Sequence, residues 1–337
     1  MRTFETPRVV VSQCLGFARC RYNGAVIEDR FVDRLRGHVT FCPVCPEMEI
    51  GLGCPRDPIR VVSAGGERRL VQPATGRDLS ADMRAFAARF LDAAGEVDGF
   101  LLKSRSPSCG IKDVKAYRRA EDDAPRGVGA GFFGEAVLER FGLRSQYGPA
   151  APSQYGGCAA VEDEGRLNNF TLREHFLTRL FTLAAFREVS RGGRMKDLVR
   201  FQAENKGLLM AYHQAQMRKL GRIVANHEAR PDAEVLADYG ANLAQALARP
   251  PRFTSIINVL MHALGYVSGG LAAGEKALFL DTLEKYRAGQ APLGVATALV
   301  KAWSIRFNVA YLLDQTFLEP YPEALLEITD SGKGRGS

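Results

Sequence analysis

The stretch Arg8 to Gln13 reads RVVVSQ and runs straight into Cys14. The pattern recurs twice: His38 to Val44 (HVTFCPV) leads into Cys45, and Gly99 to Lys103 (GFLLK) leads through SRSPS into Cys109. Each run is of strand length and rich in Val or Phe, as buried strands are. Between the last two, Met83, Phe86, Ala87, Phe90 and Leu91 recur at helical spacing, predicting a helix over Asp78 to Ala94 with Ser80 as N-cap. Alternating strands and helices predict an α/β unit with a parallel sheet. In such sheets ligands gather outside the carboxyl ends of the strands, so three cysteines distant in sequence are expected at one site. Gly16, Pro46, Pro107 and Gly110 stand beside them, residue types that let the backbone turn sharply.

Outward from this core the grammar changes. Asp122 to Gly165 is rich in Gly, Pro and Ser and reads as a connector. From Asn168 onward the strand signal fades, and helices are predicted over Phe170 to Val189, Met195 to Leu220, Ala233 to Ala248, Phe253 to Leu264, Ala273 to Ala288 and Gly294 to Leu313. The expected organisation is an α/β domain at 1–150, a linker at 151–165, a mostly α-helical domain at 166–328 and a disordered tail at 329–337. Tyr266 and Tyr311 read as core aromatics of the helical part.

The 337 residues suit two domains, and 46% hydrophobic with 25% charged residues is an ordinary globular composition that excludes disordered and fibrous classes. Met1 to Pro7 has no signal-peptide grammar, and the most apolar stretch, Ile256 to Val267, is interrupted by Asn258 and His262 and too short to span a bilayer. A cytoplasmic protein without a membrane partner is expected, in which seven cysteines are more useful as metal ligands or catalysts than as disulfides.

Three thiolates are too few to close a tetrahedral zinc site or to give every iron of a four-iron cluster a protein ligand, so one position stays open, as in catalytic centres. All-thiolate ligation admits either zinc or iron–sulfur. Cys42 and Cys45 form a Cys-x-x-Cys pair that could join Cys54 in a local zinc site, but an extended strand points the first two apart. Cys20, Cys54 and Cys158 read as small buried hydrophobes.

The segments VSQCLGFARCRYNG, VCPEMEIGLGCPR and LLKSRSPSCG resemble the three signature segments of the thiouracil desulfidase (TudS-like) family, a likeness spanning roughly residues 6–145. VEDEGRLNNFTLREHF, ENKGLLMAYHQAQMRKLGRIVA, INVLMHALGYVSGGL and YLLDQTFLEPYPEAL resemble the YbgA-like helical domain. The fused arrangement is similar to that of tRNA 4-thiouridine desulfidases (RudS-like). The resemblance implies a [4Fe-4S] cluster on Cys14, Cys45 and Cys109 whose open iron takes the thiocarbonyl sulfur, with Glu47 as acid/base and Ser106 as catalytic serine. Asn23, Arg56, Lys103 and Ser104 would complete the substrate pocket. The net reaction implied is hydrolytic, thiouridine and water giving uridine and sulfide with no external electron donor. The chain departs from the family at Glu49-Ile50-Gly51-Leu52-Gly53, where Gly-Gly-Leu is usual. Read without the resemblance, Glu47 is a helix-start carboxylate after Pro46 and Ser106 a turn residue before Pro107.

From Arg166 to Arg222 twelve Lys/Arg face four Asp/Glu, a local +8 that exceeds the +7 of the whole chain. A polyanion such as a tRNA carrying 4-thiouridine is the partner this balance suggests, with no obligatory protein partner evident. The candidate contacts are Arg187, Arg191, Arg194, Lys196, Lys206, Arg218, Lys219 and Arg222. Arg187, Arg191 and Arg194 share a helix face if the helix survives Gly192-Gly193, and the last three could equally serve a helix C-terminus. Two alternatives stay open: a desulfidase of free thiouracil bases, and a zinc-stabilised non-catalytic nucleic-acid-binding protein.

Overall fold

The computed structural model describes residues 2–141 and 159–329; Cys158, most of the expected linker and residues 330–337 of the expected tail lie outside them. In chain order the first elements are β1 (Arg8–Ser12), α1 (Arg30–Leu35), β2 (Thr40–Val44), α2 (Pro46–Glu49), β3 (Arg60–Ala64), β4 (Glu67–Gln72), β5 (Arg77–Asp78), α3 (Ser80–Ala93), β6 (Gly99–Leu102), β7 (Val114–Tyr117), β8 (Gly127–Gly129), α4 (Phe132–Arg140) and β9 (Ala160–Asp163). Then come α5 (Phe170–Gly192), α6 (Met195–Glu204), α7 (Lys206–Ala225), α8 (Asp232–Ala246), α9 (Phe253–Val267), α10 (Ala273–Arg287), α11 (Leu293–Arg306) and α12 (Ala310–Leu313). The α/β class followed by a mostly helical part is therefore as the sequence indicates.

The chain divides into two compact units, Phe4–Ala184 with Ala324–Ser337, and Met1–Thr3 with Ala185–Glu323. The division falls inside α5, between Ala184 and Ala185. The start of α5 carries Phe176, Leu177 and Leu180, all buried, and Gly99 of β6 has no room for a side chain: a Cβ there would stand 2.7 Å from Leu180 Cδ1.

In the first unit the order β2-β1-β6-β9 makes a wholly parallel sheet. β1 lies between β2 and β6, so the chain reverses direction across the sheet at β1, the place where a ligand crevice opens in doubly wound folds. β1, β6 and β9 are almost entirely buried, while β2 is an exposed edge that tolerates Pro43. A second sheet, β5-β4-β3-β7-β8, is mixed and was not foreseen: β3, β4 and β5 run antiparallel in turn, with Arg68 and Arg69 breaking the apolar run that would announce β4. The core joins both sheets through Val10, Val61, Leu70, Met83, Phe86, Phe100 and Phe133.

Within the segment read as a connector, α4 and β9 are regular elements. The predicted helix at 78–94 begins at Ser80, but the Asp78 carboxylate accepts from the Ser80 amide (2.9 Å), while Ser80 Oγ accepts from Leu70 N (2.8 Å). Ser80 thus ties α3 to β4 instead of capping it.

In the second unit the predicted helix 195–220 is broken twice. Buried Asn205 ends α6 and opens α7, its side chain bound to Phe201 O (2.9 Å) and Thr316 Oγ1 (2.8 Å). His213 then leaves helical geometry (φ −159°, ψ 93°), and its Nδ1 accepts from Gln216 N (3.3 Å) as an N-cap side chain would. The core here gathers Leu208, Leu260, Phe279, Val300 and Trp303. Tyr266 and Tyr311, read as core, are exposed with ring centroids 4.9 Å apart. No helix among the described residues is long and apolar enough to cross a membrane.

Candidate active site

Three adjacent parallel strands end side by side, and each delivers one of the expected cysteines. Cys14 follows β1 by two residues, Cys45 follows β2 directly and is the N-cap residue of α2, and Cys109 stands at the end of the loop after β6. The strand ends are tied together, Gln13 N to Val44 O (2.9 Å) and Lys103 N to Ser12 Oγ (2.8 Å).

The loop carrying Cys109 is held from below by α4. Phe132 N donates to Pro107 O (3.1 Å) and Gly134 N to Ser108 O (3.0 Å). Gly134 is required for this approach, since a Cβ there would meet Gly110 O at 2.3 Å and Cys109 O at 2.7 Å. Such contact with backbone cannot be relieved by moving a side chain.

Cys45 and Cys109 are buried and Cys14 half-buried. Burial pushes the Cys109 thiol up to about 12, and Cys45 rises through the neighbouring Cys20 thiol and then burial. Cys20, read as a packing residue, is buried, but it lies against the thiols of Cys14 and Cys45; the Cys14 thiol and then burial push it up to about 11, against the lowering effect of Cys45. Cys42 is exposed on β2 while Cys45 is buried, and the Cys54 thiol has Arg19 O (3.2 Å) and Arg21 O (3.1 Å) as alternative acceptors for its one proton. The local Cys42–Cys45–Cys54 site is therefore not assembled. Among the described residues no three His, Cys, Asp or Glu side chains converge as a lone metal ion would need.

Glu47 sits in α2, two residues beyond Cys45. Arg56 Nε and Nη2 both donate to its Oε2 (2.9 and 2.6 Å), and the two side chains are only 4% and 12% exposed. Arg56 Nη1 also donates to Cys20 O (3.0 Å) and Gly53 O (2.7 Å). The Glu49–Gly53 departure therefore folds back, through positive φ at Gly51 and Gly53, to bring Arg56 onto Glu47.

The other oxygen, Oε1, accepts from Ser108 Oγ (2.6 Å), and Ser108 Oγ lies 2.9 Å from Ser106 Oγ. A hydroxyl has one proton to give. Because Ser108 gives its proton to the carboxylate, the bond between the serines is donated by Ser106. The order Ser106, Ser108, Glu47 is thus a directed chain. Ser106 Oγ in turn accepts from the amides of Cys109 (3.1 Å) and Ser108 (3.3 Å). Ser108 was missed by sequence reasoning; its signal was the second serine of SRSPSCG.

The remaining pocket candidates are spent differently. Asn23 is exposed, and its side-chain oxygen accepts from Ala25 N (3.2 Å) in a turn closed by Gly24. The Lys103 ammonium is held by Glu164, Ser104 O (3.1 Å) and Ser104 Oγ (2.9 Å), which occupies its three protons.

The basic candidates of the second unit split into two groups. Arg187 and Arg191 both bind Glu188, and Arg194, beyond the break at Gly193 (φ +66°), binds Asp197 (2.6 Å). The helix does not survive the glycine pair, so the three do not share a face. Lys196, Lys206, Arg218, Lys219 and Arg222 are exposed and in no ion pair among the described residues.

Among solved structures the chain is similar to the [4Fe-4S]-dependent thiouracil desulfidase TudS, at 27% identity over 48% of this chain and 93% of that one; with a TM-score of 0.35 the superposition itself bears no weight. The family described as DUF1722, a protein of unknown function, matches residues 206–322, within the helices read as YbgA-like. The protein YbbK of Bacillus subtilis (strain 168), described as uncharacterized, is 33% identical over 109 residues, which cover 30% of this chain and 72% of YbbK. The 2-thiouracil desulfurase family matches residues 9–144, the stretch that holds all three strand-end cysteines, Glu47, Arg56, Ser106 and Ser108. The chain belongs to the 2-thiouracil desulfurase family.

Proposed function

We propose that the chain is a [4Fe-4S]-dependent desulfidase that converts 4-thiouridine in cytoplasmic tRNA to uridine, releasing sulfide. The observation that carries this is the ion-paired Glu47, joined by two serines to the loop of Cys109 and placed two residues from Cys45. The donor set suits the cluster. Cys14 and Cys45 follow neighbouring strands, which stand about 4.8 Å apart, and Cys109 comes from the loop after the third strand, so the three thiols suit a polynuclear centre with a width of its own. Buried thiols with raised pKa lose their protons readily only to a strongly cationic group. Cys14, Cys45 and Cys109 would hold it, and it would supply a thiophilic Lewis acid for the thiocarbonyl sulfur.

The chain's own residues supply the proton handling. Glu47, fixed as a carboxylate acceptor by Arg56 and Ser108, takes the proton of the water that attacks the ring carbon. Ser106 stands beside the base as a hydroxyl that keeps its proton on Ser108 and so holds Ser108 on Glu47, and Glu47 returns the proton taken from the water to the departing sulfur. Arg56 orients Glu47 and does not itself meet the base. Asn23 lines the rim. The helical part, with exposed Lys196, Lys206, Arg218, Lys219 and Arg222, binds phosphates and gives affinity without reading sequence.

Anaerobic incubation of holoprotein with thiolated tRNA tests the reading: near-ultraviolet thiouridine absorbance disappears and sulfide appears, and neither happens with Cys109→Ala. Turnover of free thiouracil with no effect on tRNA would leave the family chemistry and remove the RNA substrate. A colourless, zinc-loaded protein would remove both.

A further inference from the structure

We infer that Glu164, which lies outside the stretch matching the desulfurase family, is a positioning residue of the same site; this rests on the desulfidase reading above. β9 adds to the sheet beside β6 in parallel, with Leu102 opposite Asp163, so the residue after the strand emerges at the edge where the three cysteines stand. Glu164 is that residue, and its side chain is 9% exposed. Its carboxylate reaches across to the first two residues of the loop that carries Ser106 and Cys109. Oε1 accepts from Lys103 Nζ and from Ser104 Oγ (2.7 Å), and Oε2 accepts from Ser104 N (2.7 Å).

The chain has been shaped around this contact. Gly165 passes so close that a Cβ on it would sit 3.1 Å from Ser104 Oγ, and Arg166 N is turned onto Asp163 Oδ1 (2.8 Å), closing the bend that aims Glu164 at the loop. On the other side Lys103 N is bound to Ser12 Oγ, two residues before Cys14. The segment from Lys103 to Cys109 is therefore fastened at its start by Glu164 and Ser12, and at its end by α4 and the Ser106–Ser108–Glu47 chain. Because the Lys103 protons are all used within this clamp, Lys103 and Ser104 act by holding the loop and not by touching substrate. Arg105, the next residue, takes a left-handed conformation (φ +59°), a strained geometry that persists only where surroundings impose it. The clamp is such an imposition.

The test uses full-length holoprotein. Glu164→Gln is expected to keep iron and sulfide per chain at the wild-type value and lower kcat on free thiouracil about tenfold, the size of effect seen when an orienting partner is lost. KM is expected to stay within about twofold. Amide hydrogen exchange at Ser104, Ser108 and Cys109 is expected to accelerate. Lys103→Met added to Glu164→Gln is expected to recover part of the loss, since it removes the cation that Gln leaves unpaired. Ser104→Ala keeps the ion pair, serves as the probe if Glu164→Gln fails to fold, and is expected to lower kcat roughly threefold. Unchanged kcat with unchanged exchange, a loss confined to KM, or strict additivity of the pair overturns the inference. If wild-type holoprotein turns over no thiolated base, the functional reading falls instead, while the exchange measurement still decides whether Glu164 holds the loop.

Discussion

Arg56 and Lys219 are both cations of one basic chain, and the molecule uses them in opposite ways. Arg56 is 4% exposed and spends its guanidinium on Glu47, Cys20 O and Gly53 O. Lys219 is exposed near the end of α7 with no carboxylate against it. The sheet unit consumes its polar groups internally, Arg56 on Glu47, Ser106 on Ser108 and Lys103 on Glu164, so the geometry around the cysteines is fixed in advance of any ligand. The helical unit leaves Lys196, Lys206, Arg218, Lys219 and Arg222 to solvent, where a mobile polyanion can pair with them. Preorganised groups suit chemistry at one atom; free cations suit sequence-independent affinity.

The largest effect should follow from breaking the buried pair. Glu47→Gln removes the proton acceptor and is expected to lower kcat by about 10²- to 10⁴-fold. It also strands the Arg56 charge, which costs about 3 to 5 kcal/mol when a buried pair loses one member. Adding Arg56→Met should return most of that stability in a urea titration and none of the turnover. If the double variant regains turnover, Glu47 is a structural partner of Arg56 and the sheet unit's network is not catalytic.

Next in size is the pH dependence of Asp163. Burial raises its carboxyl to about 6, against an ordinary 3.8. A raised acid binds more protons folded than unfolded, so its contribution to stability is present below about pH 4 and lost as pH rises through about 6. A rise of that size corresponds to roughly 3 kcal/mol. Buried His175, whose pKa lies below its usual value, works in the opposite direction, but that contribution is common to wild type and variant. Asp163→Asn should therefore gain stability over wild type progressively between pH 4 and 7 in paired urea titrations; a constant difference across that window rejects the burial argument.

Ser108→Ala cuts the link between Ser106 and Glu47 while leaving both residues in place. It is expected to lower kcat roughly tenfold, within the usual range for a residue that orients a catalytic group. Thermal stability should change by about 1 kcal/mol, the net value of one hydrogen bond. An unchanged kcat would make the serine chain incidental and leave Glu47 acting alone.

How much of this was legible in the sequence follows the range of the interactions. The strands leading to Cys14 and Cys109 were readable because burial on both faces writes a continuous apolar run, while the exposed edge strand before Cys45 was readable from its Val and Phe content alone. Glu47 and Ser106 were found through their neighbours in the motif, and the structure joins them through Ser108. Glu164 was not legible, because nothing local announces a carboxylate that will meet Lys103 from 61 residues away. β4 and α4 were hidden by arginines and glycines whose placement answers to tertiary contacts: Gly134 reads as a helix breaker until its approach to Gly110 O is known. The break in the helix predicted over 195–220 rests on Asn205 and His213, residues common in helices whose capping role appears only once Thr316 is known to lie against Asn205.

The smallest expected effect, and the one that bears most directly on the second unit, concerns Arg218, Lys219 and Arg222. Arg222 stands in the last turn of α7, where a cation also suits the helix dipole, and Arg218 and Lys219 lie in the turns before it. The two roles separate by salt. If the cations meet phosphates, Arg218→Gln, Lys219→Gln and Arg222→Gln together should weaken tRNA binding about tenfold at moderate ionic strength. The slope of log K against log salt should become shallower by roughly 0.7 to 0.9 for each phosphate no longer neutralised. Turnover of free thiouracil should not change, because no residue of the cysteine site is touched. If they serve only the helix terminus, the triple variant should lose about 1 kcal/mol of stability with the salt slope intact. A loss of free-base turnover in this variant would break the comparison itself, since it would mean that the exposed cations and the buried network are not separate devices.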